Sequence, residues 1–144
     1  MSKTVFESTF ESTIEAVGTA INGALAALVE HCWCTVEDSF CIRLCIEEAL
    51  VNAVVHGNKN EAHLEISLTI ADEGDLCRIR VRDQGEGFDP DAVTMPDCDQ
   101  LGGRGVCLIK HYMDEVKFDI AHRCLEMTFR RSTFSCEEEE TNVT

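Results

Sequence analysis

The sequence predicts a two-layer α/β sandwich, an α+β arrangement in which a mostly antiparallel sheet is covered on one face by helices. Three observations predict it. Residues 12–31 and 36–57 carry apolar side chains at helical spacing. Residues 62–71 and 76–83 alternate apolar and polar around the turn sequence Asp72-Glu73-Gly74-Asp75. A second alternating pair, 115–121 and 124–131, closes the chain's ordered pattern.

The elements follow in order. Residues 4–10 alternate loosely and suggest an edge strand. The first helix places Ile14, Val17, Ile21, Leu25, Leu28 and Val29 on one stripe, and Gly18 and Gly23 either weaken it or let it pack closely on a neighbour. The second helix starts near Val36, with Glu37 and Asp38 in its first turn, where acids suit the helix dipole, and stops at His56-Gly57-Asn58. The hairpin over 62–83 presents Leu64, Ile66, Leu68 and Ile70 and then Leu76, Ile79 and Val81 to a core. Residues 84–103 lack periodicity and contain both prolines, a length of loop that is usually functional. A short helix over Gly105–Met113 and the final strand pair complete one domain over residues 1–131. Residues 132–144, with Glu137-Glu138-Glu139-Glu140, form an acidic, solvated tail.

Composition narrows the function. The 144 residues can enclose a hydrophobic core without staples. A net charge of −15 repels nucleic acid and leaves a basic protein partner open. There is no apolar run long enough for a membrane span and no secretory pattern at the N-terminus, so the expected location is the cytoplasm. The nine cysteines are then expected to be reduced thiols used as small apolar residues. A metal site from Cys32, Cys34, Cys41 and Cys45 with His31 has no standard zinc spacing.

Three segments carry chemistry. In the second helix, Cys45 to Gly57 is apolar over most of its circumference, yet Glu48 and Asn52 stand on one face of it, four residues apart. A carboxylate and a carboxamide there cost free energy unless something satisfies them. A magnesium–nucleotide complex would do so, with Asn52 as an oxygen ligand and Glu48 as a proton acceptor. The alternative is an acid reaching solvent and a satisfied core amide. Asp83 ends a strand before Gln84-Gly85-Glu86-Gly87-Phe88; its carboxylate suits the exocyclic amine of adenine, and Gly85 and Gly87 permit close backbone approach. Gly102-Gly103-Arg104-Gly105 opens the third helix, where free N–H groups bind phosphate and Arg104 adds charge. The segments match neither the dinucleotide fingerprint nor a Walker A loop. His56 reads as a cap-region histidine, and Trp33 and Tyr112 as packing residues.

Taken together, these segments resemble the GHKL ATP-binding family. Glu48-Ala49-Leu50-Val51-Asn52-Ala53-Val54-Val55-His56-Gly57 resembles its N box, Asp83-Gln84-Gly85-Glu86-Gly87-Phe88 its first glycine box, and Gly103-Arg104-Gly105-Val106-Cys107-Leu108-Ile109 its second. Tyr112-Met113-Asp114-Glu115-Val116 after the last box is similar to bacterial anti-sigma factor serine/threonine kinases of the RsbW and SpoIIAB type. The resemblance implies a Bergerat fold binding ATP and Mg²⁺. It implies Glu48 as catalytic base, Asn52 as magnesium ligand and Asp83 as adenine reader. Gly85 and Gly87 would shape the adenine pocket, and Gly103, Arg104 and Gly105 would face the phosphates. It further implies a homodimer that binds a sigma factor or phosphorylates a STAS-domain anti-anti-sigma antagonist. The Gly-Arg-Gly form of the last box also occurs in relatives that act by binding alone, which makes a non-catalytic ATP-binding module the alternative.

Overall fold

A computed structural model describes residues 2–85, 104–119 and 121–131. Five strands, β1 (Lys3–Glu11), β2 (Glu65–Asp72), β3 (Leu76–Arg82), β4 (Glu115–Asp119) and β5 (Cys124–Arg130), form one sheet in the order β1-β2-β3-β5-β4. Every neighbouring pair is antiparallel. Three helices, α1 (Ile14–Glu30), α2 (Ser39–Asn52) and α3 (Arg104–Tyr112), accompany it, and α2 continues into a π-helical turn over Ala53–Gly57.

The strands have one apolar face because side chains alternate. Ile66, Leu68 and Ile70 of β2, Cys77, Ile79 and Val81 of β3, and Leu125, Met127 and Phe129 of β5 are buried. Val17, Ile21, Ala24 and Leu28 of α1 and Ile42, Ile46, Ala49 and Leu50 of α2 join them in one core. The opposite sheet face is polar. Arg78 pairs there with Glu73 at 2.9 Å and with Glu126, and Arg80 reaches the same Glu126 at 3.0 Å.

The first helix begins two residues later than its apolar pattern, because the Thr13 side chain accepts the Ala16 N–H and caps it. Of its two glycines only Gly23 is a packing residue: a Cβ there would stand 2.9 Å from the Phe6 ring of β1, whereas Gly18 faces open space. The second helix begins at Ser39 and not at Val36. The Thr35 hydroxyl accepts the Asp38 N–H and Ser39 Oγ donates to the Val36 carbonyl, which shapes residues 35–38 as a turn. In the β2–β3 hairpin the Asp72 side chain accepts the Gly74 N–H, and Gly74 takes φ +88°, a conformation that favours glycine.

The end of the sheet beneath that hairpin is clamped by Arg131. Its guanidinium lies 3.8 Å from the centroid of the Trp33 ring, donates to the Cys32 and Gly74 carbonyls, and stands 3.5 Å from Asp72. Trp33 is fully buried and meets Phe129 edge-on at 5.8 Å. Both Trp33 and Tyr112 pack, as the sequence suggests.

The cysteines divide. Cys107 is disulfide-bonded, which corrects the expectation of thiols throughout: spacing along the chain does not say which sulfurs meet in space. Cys32, Cys34, Cys41, Cys45, Cys77 and Cys124 are thiols. Burial pushes Cys45 up to about 12 and raises Cys77 as well, so both stay protonated and pack as small apolar groups.

Arg131→Ala removes a cation over a buried ring together with two carbonyl contacts. It is expected to lower unfolding stability by about 1–2 kcal/mol, measured by urea denaturation.

Candidate nucleotide site at the end of the second helix

Glu48 and Asn52 both stand on the C-terminal half of α2, one turn apart. The helix is otherwise packed: Cys45, Ile46, Ala49 and Leu50 are buried around them. Asn52 is 9 % exposed, and its carboxamide makes no hydrogen bond to any described residue. The Glu48 carboxylate is half-buried and has no ion-pair partner among the described residues. An amide and an acid in that state are a ready oxygen donor set.

After Asn52 the helix widens. The Asn58 N–H bonds to the Ala53 carbonyl at 2.7 Å, a five-residue span that leaves one more residue in the turn than an α-helix holds. The chain then reverses through Lys59 and Asn60, at φ 53° and 63°. Gly57 itself is not left-handed, so its role is not the helix stop that its sequence position suggests. It is a contact: a Cβ on Gly57 would collide with the Asp83 carboxylate. A Cβ on Gly85 would in turn run into the Gly57 carbonyl. The two glycines let the end of β3 lie directly on the π turn. The expected freedom of Gly85 is therefore used for close approach and not for a positive φ.

Asp83 is 9 % exposed at the floor of this junction. Its Oδ1 accepts the Gly85 N–H at 2.8 Å. Burial pushes the carboxyl above the ordinary carboxylate range, against the opposing pull of the Gly85 N–H and the Arg123 charge. A carboxylate held this way favours a ligand that brings a hydrogen-bond donor.

Three residues that the motifs do not reveal hold the junction. Asn58, 1 % exposed, accepts the Gln84 N–H at 2.8 Å and donates to the Glu65 carbonyl at 3.2 Å. Gln84 Oε1 accepts the Glu65 N–H at 2.8 Å. Arg123 donates to the Gln84 carbonyl at 3.1 Å. Only the position of Asn58 directly after Gly57 could have signalled this, and asparagine after glycine is common in turns.

The structure thus brings Asp83 and Gly85 against the segment that follows Asn52. Arg104 and Gly105 form the first turn of α3. That helix packs on α2, with Tyr112 at its far end beside Cys41 near the start of α2. α3 therefore runs back along α2, and its N-terminal turn lies toward the Asn52 end. Gly87 and Gly103 lie outside the described residues. His56 is exposed on the π turn, consistent with a cap-region residue.

Comparisons with known proteins agree with this arrangement. A family model described as histidine kinase-like ATPase domain matches residues 10–129. The anti-sigma F factor of Anoxybacillus flavithermus is 27% identical over 99 residues, covering 64% of this chain and 67% of that protein. Its counterpart in Geobacillus kaustophilus is 28% identical over 99 residues with the same coverage. The histidine kinase domain of the blue-light activated histidine kinase EL346 of Erythrobacter litoralis superposes with a TM-score of 0.52 at 19% identity, covering 82% of this chain and 64% of that one. The last likeness concerns fold alone.

Gly85→Ala forces backbone against backbone and is expected to destabilise the β3–π-turn junction and abolish nucleotide binding, measured by thermal melting and calorimetric titration. Asp83→Asn is expected to raise the melting temperature of the ligand-free protein at neutral pH. The sign follows from the raised carboxyl: its contribution to stability is full below the unfolded-state value and is lost as pH rises through the folded value, so the advantage of asparagine should shrink in acid.

Proposed function

The chain belongs to the histidine kinase-like ATPase domain family, and from that premise we propose that it is an ATP-dependent serine/threonine protein kinase and anti-sigma factor. Its substrate in this reading is a STAS-type anti-anti-sigma antagonist in a partner-switching pathway. The protein works as a cytoplasmic homodimer and alternates between a sigma factor and that antagonist. Among the described residues no helix is long and apolar enough to cross a membrane.

The observation that carries the reading is the uncommitted pair on α2, Glu48 and Asn52, beside a buried carboxylate held above its ordinary range at Asp83. Each group has a part in phosphoryl transfer, which asks a protein mostly for positioning and charge stabilisation. Asp83 accepts a hydrogen bond from the exocyclic amine of adenine. Gly85 and Gly87 admit the ring close to the backbone. Asn52 offers a carbonyl oxygen to Mg²⁺, and Gly103, Arg104 and Gly105 face the phosphates. The bound ion neutralises phosphate charge when present. Glu48 takes the proton of the substrate hydroxyl as that oxygen bonds to the γ-phosphorus. The bond to the bridging oxygen breaks, and ADP leaves with the electron pair.

The names of the anti-sigma F factor relatives support the regulatory half of the reading. A serine/threonine acceptor follows from the GHKL kinase resemblance of the three boxes.

Incubation with labelled ATP and a STAS-domain antagonist tests the proposal. Glu48→Gln is expected to lower phosphoryl transfer by about 10²-fold or more while ATP still binds. Binding of the antagonist without any transfer by the unaltered protein would instead make it a non-catalytic module that sequesters its partner. Asn52→Ala is expected to remove the magnesium dependence of ATP binding, read by calorimetry with and without chelator. Asp83→Asn should relax the preference for ATP over GTP.

A further inference from the structure

We infer that the outer surface between the end of α1 and the start of α2 seats a basic amphipathic helix of a partner protein. This deepens the proposed function by naming the chemistry of the sequestered regulator, and it rests on that reading only for the identity of the partner as a regulator.

Val36 is 73% exposed and Phe40 62%, unusual for side chains of this size. They flank a shallow groove lined by Leu25, Ala26 and Val29 of α1. The exposure is built in. The connector between the helices is fixed from below, where Trp33 and Cys34 are buried and Arg131 holds both the Trp33 ring and the Cys32 carbonyl. It is fixed from above by the Thr35–Asp38 and Ser39–Val36 hydrogen bonds. Cys32 takes φ 62°, which reverses the chain just before Trp33 turns inward. With Trp33 and Cys34 committed to the core, Val36 and Phe40 have no inward route. A rigid apolar patch with an exposed aromatic side chain is the form of an anchor site.

Charge selects the occupant. Glu30 lines the groove, and Glu37 and Asp38 stand exposed beside Val36. Two copies of the chain meeting through this patch would bring these three acids against their own equivalents, so a second copy is disfavoured. A helix with apolar residues at i, i+3, i+4 and i+7 fills the groove between α1 and α2, and lysines or arginines on its flanks meet the acids. The net charge of −15 steers such a partner inward. Arg43, three residues past Phe40, adds a positive flank on one side, which gives the bound helix a preferred direction.

The test uses a fluorescent synthetic helix with that leucine spacing and lysine flanks, titrated into the full chain and followed by anisotropy. Binding should weaken by about tenfold or more in the double variant Val36→Asn with Phe40→Ser, and similarly in Glu30→Lys with Glu37→Lys. A glutamate-flanked helix of the same leucine pattern should bind far more weakly than the lysine one. Equal affinity for both peptides, or unchanged affinity in the double variant, overturns the inference. So does a sedimentation shift from dimer to monomer in the double variant, which would make the patch a self-interface. All four residues are exposed, so thermal melting and ATP titration of the same variants should match the unaltered protein. Loss of ATP binding by the unaltered chain would defeat the proposed function and leave the patch result standing.

Discussion

A carboxylate buried against a glycine is the constraint on which the rest of the site depends. Asp83 ends β3 with its carboxyl out of water, and it fits there only because Gly57 has no side chain and Gly85 can lie on the Gly57 carbonyl. These contacts fix the end of a sheet strand relative to the end of α2. Once they are in place, the position of Asn52 and Glu48 follows, because both belong to the same rigid helix one and two turns before the contact. Without them the acid would relax toward solvent and the two motifs would have no fixed relation. The group held above its ordinary range is a local cost that the packed core bears so that a ligand can be met without rearrangement.

The core supplies that support from one side only. Helices cover the apolar face of the sheet, and the other face is stabilised by Arg78, Arg80, Glu73 and Glu126 in a partly exposed ionic network. Such pairs contribute little individually, and the geometry of the sheet rests on its buried face. At the hairpin end Arg131 ties three separate stretches of backbone around Trp33. The junction at the other end is tied by Asn58, Gln84 and Arg123. One end of the sheet is thus closed by an aromatic–cation stack and the other by a polar mesh that leaves a ligand-facing notch.

The fold was legible where periodicity is long. The alternation of Ile66, Leu68 and Ile70 and the stripe from Val17 to Leu28 predict β2 and α1 because burial of one face dictates both patterns. The site was legible where a polar residue breaks an apolar pattern, as Glu48 and Asn52 do. Legibility failed for tertiary reasons. Val36 looks like the first residue of an apolar helix, but Thr35 and Ser39 make local hydrogen bonds that delay the helix. Gly57 looks like a stop signal, and its actual role, room for Asp83, depends on a strand that arrives 26 residues later. Asn58 carries no pattern because its partners, Gln84 and Glu65, come from other elements. The bridged state of Cys107 was illegible for the same reason: a linear order of nine cysteines does not fix distances.

The π turn sets how this region tolerates change in length. An α-helix advances about 100° per residue, so deleting one residue between Ala53 and Gly57 would restore α geometry and swing all that follows by that angle. The glycine would leave its place beneath the acid, and a side chain would be carried into it. Substitutions here can be absorbed one atom at a time; an insertion or deletion cannot, because it re-indexes the whole junction. The segment is therefore a spacer whose count, more than its composition, is under constraint.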